Sequence, residues 1–173
     1  MPKARPSRAR SPRVAIIASR YNASITDALV AGAQEACQAR AGVQAQVIPA
    51  PGSYELPALA LAAAESGRFD GVVAIGCLIQ GETRHDQVIG DAVAQGLVGV
   101  TLLTGVPVTF GVLTVKTAAQ AKARAGGRQG NKGADAMNAL LDTLAAMASI
   151  DAPAKAATPS RRLPDKAKGR MSR

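Results

Sequence analysis

Apolar positions along the chain fall into two kinds of run, and the two kinds take turns. Residues 13–19, Arg-Val-Ala-Ile-Ile-Ala-Ser, form a short continuous apolar run with polar ends, the mark of a strand buried on both faces. Beyond Tyr21-Asn22 the spacing changes. Ile25, Leu29, Ala33, Ala36 and Cys37 recur at helical intervals, with Ser24 or Thr26 as candidate caps and Gly42 as the stop. Residues 43–48 alternate and predict a second strand, broken by Pro49, Pro51 and Gly52. Residues 55–66 are Ala/Leu-rich and predict a helix that tolerates Pro57 in its first turn. A third strand is predicted over 70–79 and a long helix over about 85–103, stopped by Gly105 and Pro107. A fourth strand follows over 107–114, then a short helix over 118–125, a Gly126-Gly127 break, and a last helix over 131–149.

Strand and helix in strict alternation, with continuously apolar strands, imply a parallel sheet covered on both faces: an α/β chain built as a three-layer αβα sandwich. In such folds ligands bind beyond the carboxyl ends of the strands. The less ordinary residues gather there: Tyr21-Asn22 after the first strand, residues 52–55 after the second, and residues 81–85 after the third.

Composition adds limits. A chain of 173 residues with 47% hydrophobic content fits one domain with a real core. No apolar run reaches the roughly 18 residues of a membrane span, and the basic N-terminus lacks the apolar centre of a secretory signal. Two distant cysteines, Cys37 and Cys77, suit a reduced compartment, and with one histidine they make no metal-ligand spacing. The net charge of +9 belongs to the ends. Residues 1–12 carry Lys3, Arg5, Arg8 and Arg10 without an acid, and residues 152–173 carry seven basic side chains against Asp165. What lies between is close to neutral, so the high pI describes two basic, Pro-rich tails expected to be disordered, and not the domain of residues 13–150.

The stretch from Gly76 to Asp86 holds the densest candidate chemistry. A buried strand runs through a glycine-containing turn into a helix start, which aims backbone N–H groups and a positive dipole end at one point. His85, the one histidine of the chain, stands there, and its side chain exchanges protons near neutral pH. Tyr21 and Tyr54 sit on loops at strand ends, where a flat ligand ring explains them better than packing does; Phe69 reads as core. Glu55 opens a helix, where a carboxylate is favoured whatever else it does. Arg124, Arg128 and Lys132 lie in a glycine-rich turn that could hold phosphate or simply be solvated.

Taken together, five segments resemble the lumazine synthase family. They are residues 19–22 (Ser-Arg-Tyr-Asn), 51–57 (Pro-Gly-Ser-Tyr-Glu-Leu-Pro), 76–85, 107–114, and Arg124-Ala125-Gly126 with residues 130–133 (Gly-Asn-Lys-Gly), in that family's order and spacing over residues 13–150. The resemblance implies a flavodoxin-like fold with a four-stranded parallel sheet. It implies condensation of 5-amino-6-ribitylaminouracil with 3,4-dihydroxy-2-butanone 4-phosphate to 6,7-dimethyl-8-ribityllumazine, a transferase step of riboflavin biosynthesis that uses no cofactor. By matching positions, Tyr21 would stack on the pyrimidine. Ser53, Tyr54 and Glu55 would hold the ring and ribityl chain, and the backbone of Cys77, Leu78 and Ile79 would meet the ring edge. Glu82, Thr83 and Arg124 would bind the phosphate ketone, and His85 would move protons. Phe110 would come from a neighbouring subunit, with Asn22 and Lys132 as additional positions near the site.

The resemblance also implies a cytoplasmic homo-oligomer, either a pentamer or a sixty-subunit icosahedral shell of pentamers, with riboflavin synthase as a candidate partner and no membrane. The short turn at Arg128-Gln129 leans toward the shell. Three features depart from the family pattern: Tyr21 where Phe or Trp is usual, Val115-Lys116-Thr117 where a polar, often acidic stretch is usual, and Arg128-Gln129 itself. The basic C-terminal tail suggests sequence-independent attraction for nucleic acid. Two other readings stay open at this point: a related enzyme that dismutates the lumazine to riboflavin, and a shell-forming or ligand-binding protein without catalysis.

Overall fold

A computed structural model describes residues 11–151. The basic segments that give the chain its charge, and the nucleic-acid contact expected of them, lie outside the described residues. The elements run β1 (Arg13–Ser19), α1 (Ala23–Gln38), β2 (Gln44–Ala50), α2 (Leu56–Glu65), β3 (Gly71–Ile79), α3 (His85–Thr104), β4 (Val108–Val115), α4 (Ala118–Arg124), β5 (Ala125–Gly127), β6 (Gly130–Asn131) and α5 (Lys132–Ile150). β1 to β4 form one parallel sheet in the order β2-β1-β3-β4. This is the expected three-layer α/β sandwich with a four-stranded parallel sheet.

The pleat explains the two cores. Alternate residues of a strand face opposite sides. Val14, Ile16 and Ala18 of β1 and Val73, Ile75 and Cys77 of β3 pack with Leu29 of α1 and Met137 and Leu140 of α5. Ala15 and Ile17 of β1 and Val72 and Ala74 of β3 point the other way, against Leu56 and Ala60 of α2 and Val93 and Leu97 of α3, with Phe69 in the same cluster. A strand that must satisfy both layers can carry no polar face, which is why β1 and β3 read as unbroken apolar runs.

Four local details differ from the sequence expectations. α1 is capped by Asn22, with neither Ser24 nor Thr26 in that place, and it ends at Gln38, before Gly42. Thr26 instead turns its hydroxyl onto the Ala23 carbonyl. β2 continues through Pro49 to Ala50, because an edge strand leaves one side unpaired and proline's missing N–H can face that side. The turn before α5 is a small antiparallel hairpin, β5–β6, with Gly126 and Gly130 at positive φ. Finally, the side chain of Asn131 caps α5 by accepting from the Gly133 and Ala134 N–H groups and donates to the Ala28 carbonyl of α1 at 2.8 Å. The Gly-Asn-Lys-Gly segment that superficially resembles a phosphate loop therefore joins two helices.

Candidate active site

β1 and β3 are the central strands, so their carboxyl ends and that of the adjacent β2 open side by side. Tyr21 and Asn22 leave β1, Ser53 to Glu55 leave β2, and Cys77 to Ile79 close β3 ahead of the α3 start. Specific bonds hold these loops. The Arg20 N–H donates to the Ala50 carbonyl at 2.8 Å, tying the β1 exit to β2. The Tyr21 N–H donates to Ser19 Oγ at 3.2 Å, and Asn22 Nδ2 donates to the Cys77 carbonyl at 2.9 Å. Ser53 is buried, and a methyl group at Gly76 would lie 2.6 Å from its Oγ, so β3 needs glycine there to admit the β2 loop.

Tyr21 and Tyr54 are 71% and 62% exposed, which leaves both rings open to a ligand, whereas Phe69 is buried as expected. Glu55 is the N-cap residue of α2 but makes no capping bond. Its Oε2 instead lies 2.9 Å from where a β-carbon at Gly52 would stand, so the Pro51-Gly52 turn folds beneath a free carboxylate. Burial raises the Cys77 thiol above its ordinary range, as for a side chain that serves as core.

The α3 start has the geometry expected of an anion site. The Val88 N–H is the first to bond back, to the Arg84 carbonyl, so the N–H groups of His85, Asp86 and Gln87 precede the helical ladder. Glu82, Thr83 and His85 are exposed, and His85 makes no hydrogen bond among the described residues.

Phe110, Arg124 and Lys132 stand apart from this crevice. Phe110 pairs with Ala74 while Leu113 pairs with Cys77, which puts Phe110 three residues, roughly 10 Å, below the level of the crevice. It is 45% exposed on β4, the outer strand. There it lines a hollow of about 450 Å³ together with Arg124, Lys132, Asp135 and the β4 backbone. Within a single chain Arg124 donates to the Gln120 carbonyl at 3.1 Å, and among the described residues no hydrogen bond or ion pair joins it to Glu82 or Thr83. Lys132 is paired with Asp135 at 2.7 Å. Asp135 was not among the residues expected from sequence; its position three residues after Lys132 was the available signal. Phe110 also borders a second hollow between β4 and α3, of about 400 Å³, with Asp86 and Thr114. One carboxylate oxygen of Asp86 is buried there without a hydrogen-bond partner.

Comparison with known proteins gives this arrangement its context. The family described as 6,7-dimethyl-8-ribityllumazine synthase matches residues 11–148. A protein named 6,7-dimethyl-8-ribityllumazine synthase from Xanthomonas oryzae pv. oryzae (strain PXO99A) is 48% identical over 132 residues, covering 75% of this chain and 86% of that protein. One of the same name from Xanthomonas euvesicatoria pv. vesicatoria (strain 85-10) is 47% identical over 137 residues, covering 78% and 89%. The protein named 6,7-dimethyl-8-ribityllumazine synthase 1 from Caulobacter vibrioides is 43% identical over 141 residues, covering 80% and 92%. Identity at this level, over nearly the whole described domain, means that the chain belongs to the 6,7-dimethyl-8-ribityllumazine synthase family.

Proposed function

We propose that the chain is a transferase that condenses 5-amino-6-ribitylaminouracil with 3,4-dihydroxy-2-butanone 4-phosphate, in a site shared between two copies. Family membership supports the reaction. The observation that carries the shared site is the separation of the expected residues into two groups. Tyr21, Ser53, Tyr54, Glu55, the backbone of residues 77–79, Glu82, Thr83 and His85 occupy the crevice. Phe110, Arg124 and Lys132 line one hollow along the outer edge of β4, and Phe110 pairs three residues below the level of the crevice. A neighbouring copy that brings its β4 edge to this crevice completes one site from two halves.

In this reading Tyr21 and the neighbour's Phe110 hold the flat pyrimidine, and Ser53 and Glu55 orient the ribityl chain. The phosphate lies against the α3 start, where unpaired N–H groups favour it, and the arginine fork of Arg124 grips it. The 5-amino group attacks the ketone and water leaves to give an imine. Phosphate is then lost, the ribityl-bearing nitrogen closes the ring, and a second dehydration gives the lumazine. His85 carries protons between nitrogen, carbon and oxygen in these steps. An amine and a ketone held together react readily, so orientation supplies most of the acceleration, and His85 contributes at the low end of the range for a positioned acid–base group, about 10²-fold. The cytoplasm, where both substrates are soluble metabolites, is the compartment this reading implies.

The test is turnover of the two substrates, followed by the absorbance and fluorescence of the lumazine. Arg124→Ala should raise KM for the ketone phosphate by roughly 10- to 100-fold, the loss expected for a charge-assisted hydrogen bond, with little change in KM for the pyrimidine. Absence of turnover in the wild-type protein would overturn the reaction, and an unchanged phosphate KM in Arg124→Ala would overturn the assigned grip.

A further inference from the structure

We infer that Asn22 is a positioning residue that sets where the Tyr21 ring stands relative to the end of β3; this rests on the proposed stacking of the pyrimidine on Tyr21 with its edge toward that end of β3. Asn22 is the only non-glycine residue at positive φ among the described residues, with φ 59 and ψ 45. That left-handed region strains most side chains and is tolerated by asparagine. The strain has a use. An asparagine at an N-cap ordinarily accepts a hydrogen bond from the first turn of its own helix, and this one makes no such bond. The left-handed turn instead swings the amide across the sheet, where Nδ2 donates to the Cys77 carbonyl at 2.9 Å.

The register shows what that bond replaces. The last β1–β3 pair is Ala18 with Ile75, so β1 ends while β3 runs on. Alternate residues of β3 turn their N–H and C=O toward β1, so after Ile75 the next to do so is Cys77. The Asn22 amide takes the place of the strand residue that is missing there and extends the β1–β3 ladder by one bond. With the Arg20 N–H on Ala50 and the Tyr21 N–H on Ser19 Oγ, the turn bearing Tyr21 is fixed to β2 on one side and to β3 on the other. Tyr21 is mostly exposed and has little packing of its own, so its ring direction follows from these backbone bonds. The same bond sorts the β3 backbone. The Cys77 carbonyl is engaged, and the groups of Leu78 face β4, where Leu78 pairs with Thr114. The backbone groups left facing the crevice beside Tyr21 are those of Ile79. Asn22 thus fixes the distance from the Tyr21 ring to the Ile79 backbone that meets the ring edge.

The experiment compares steady-state kinetics of Asn22→Gly, Asn22→Asp and Tyr21→Ala with wild type. Glycine adopts positive φ without strain, so Asn22→Gly removes only the tie; aspartate keeps size and turn tolerance but replaces the donor by an acceptor facing a carbonyl. The expected result is KM for ribitylaminouracil raised roughly five- to tenfold in Asn22→Gly, the size of one lost hydrogen bond, and at least as much in Asn22→Asp. KM for the butanone phosphate should change less than about twofold, and the melting temperature of Asn22→Gly should stay within a few degrees of wild type. An unchanged pyrimidine KM in Asn22→Gly, beside a raised one in Tyr21→Ala, overturns the role of Asn22 alone. An unchanged pyrimidine KM in Tyr21→Ala overturns the placing of the ring. Equal rises in both KM values with a lowered melting temperature would make Asn22 a fold residue only and also overturn the inference.

Discussion

Cys77 shows how one residue answers to two environments. Its backbone is at the crevice, but its thiol is buried among Val73, Ile75 and Leu113, and burial raises the thiol pKa of Cys77 and likewise of Cys37. Below about 9, the ordinary thiol value, both folded and unfolded chains keep these protons and neither cysteine makes stability depend on pH. Above it the unfolded chain releases them first, so stability falls as pH rises toward the folded values. Melting temperature against pH should therefore bend downward above about 9, and the bend should shrink in the Cys37→Ala, Cys77→Ala protein. A thiol reagent at pH 8 should label neither residue until the chain unfolds; prompt labelling would contradict the burial. At this scale the sequence was most readable where chemistry and backbone coincide. Tyr21, Tyr54 and His85 stood out as candidates because a lone aromatic or histidine at a strand end has few structural reasons to be there, and all three are exposed. Asn22 could be placed near the site but not given a role, because its use depends on a φ angle and on a carbonyl 55 residues away. Asp135 was missed because its i, i+3 relation to Lys132 also describes any solvated helix face.

Elements were legible where hydrophobic periodicity was strong. β1 and β3, apolar throughout, and the long α3 fall within a residue or so of their expected bounds. Errors came where proline or glycine has a meaning that topology decides. Pro49 breaks a central strand but not an edge, and sequence alone does not say that β2 is an edge. The contact between α1 and α5 is the other case. Gly133 lies so close to the Leu29 carbonyl that an added β-carbon would collide with backbone, and Gly32 is covered by the Asn131 side chain in the same way. Gly133→Ala should therefore force the two helices apart and cost about 1–3 kcal/mol, as overpacking does. Asn131→Ala should cost about 1–2 kcal/mol through the lost cap, and it also removes the bond to the Ala28 carbonyl that ties α5 to α1. The two changes meet at one contact, so in the double variant their costs should not add. Denaturant melts of the three proteins measure this, and simple additivity would mean that the cap and the close approach act independently.

At the scale of the whole molecule, the described residues leave one helix with a broad apolar face open. α3 is twenty residues long and, by length and composition, apolar enough to cross a membrane, yet little of it is buried. No continuous run in the sequence announced this, because Asp86, Gln87, Asp91 and Gln95 interrupt it. The fold makes the pattern clear. Val93, Leu97 and Val100 face the core, while Val88, Val98, Leu102 and Leu103 fall on an opposite, exposed face at helical spacing. The first of these faces packs on the sheet, so the helix is committed to the domain and its outer face is available to another copy. The choice between pentamer and shell belongs to native mass measurement, but the sharing of a site between copies can be tested whatever the number of subunits. His85 lies in the crevice and Arg124 on the β4 edge. A chain with His85→Ala still offers an intact β4 edge, and a chain with Arg124→Ala still offers an intact crevice. Each variant alone should be slow. When the two are unfolded together in equal amounts and reassembled, random pairing should return about a quarter of the sites with both residues intact. Turnover in the mixture should exceed the mean of the two separate variants by close to that share of wild-type activity. If His85 and Arg124 serve from the same chain, no mixing ratio can restore an intact site, and the activity of the mixture would remain the mean of its parts.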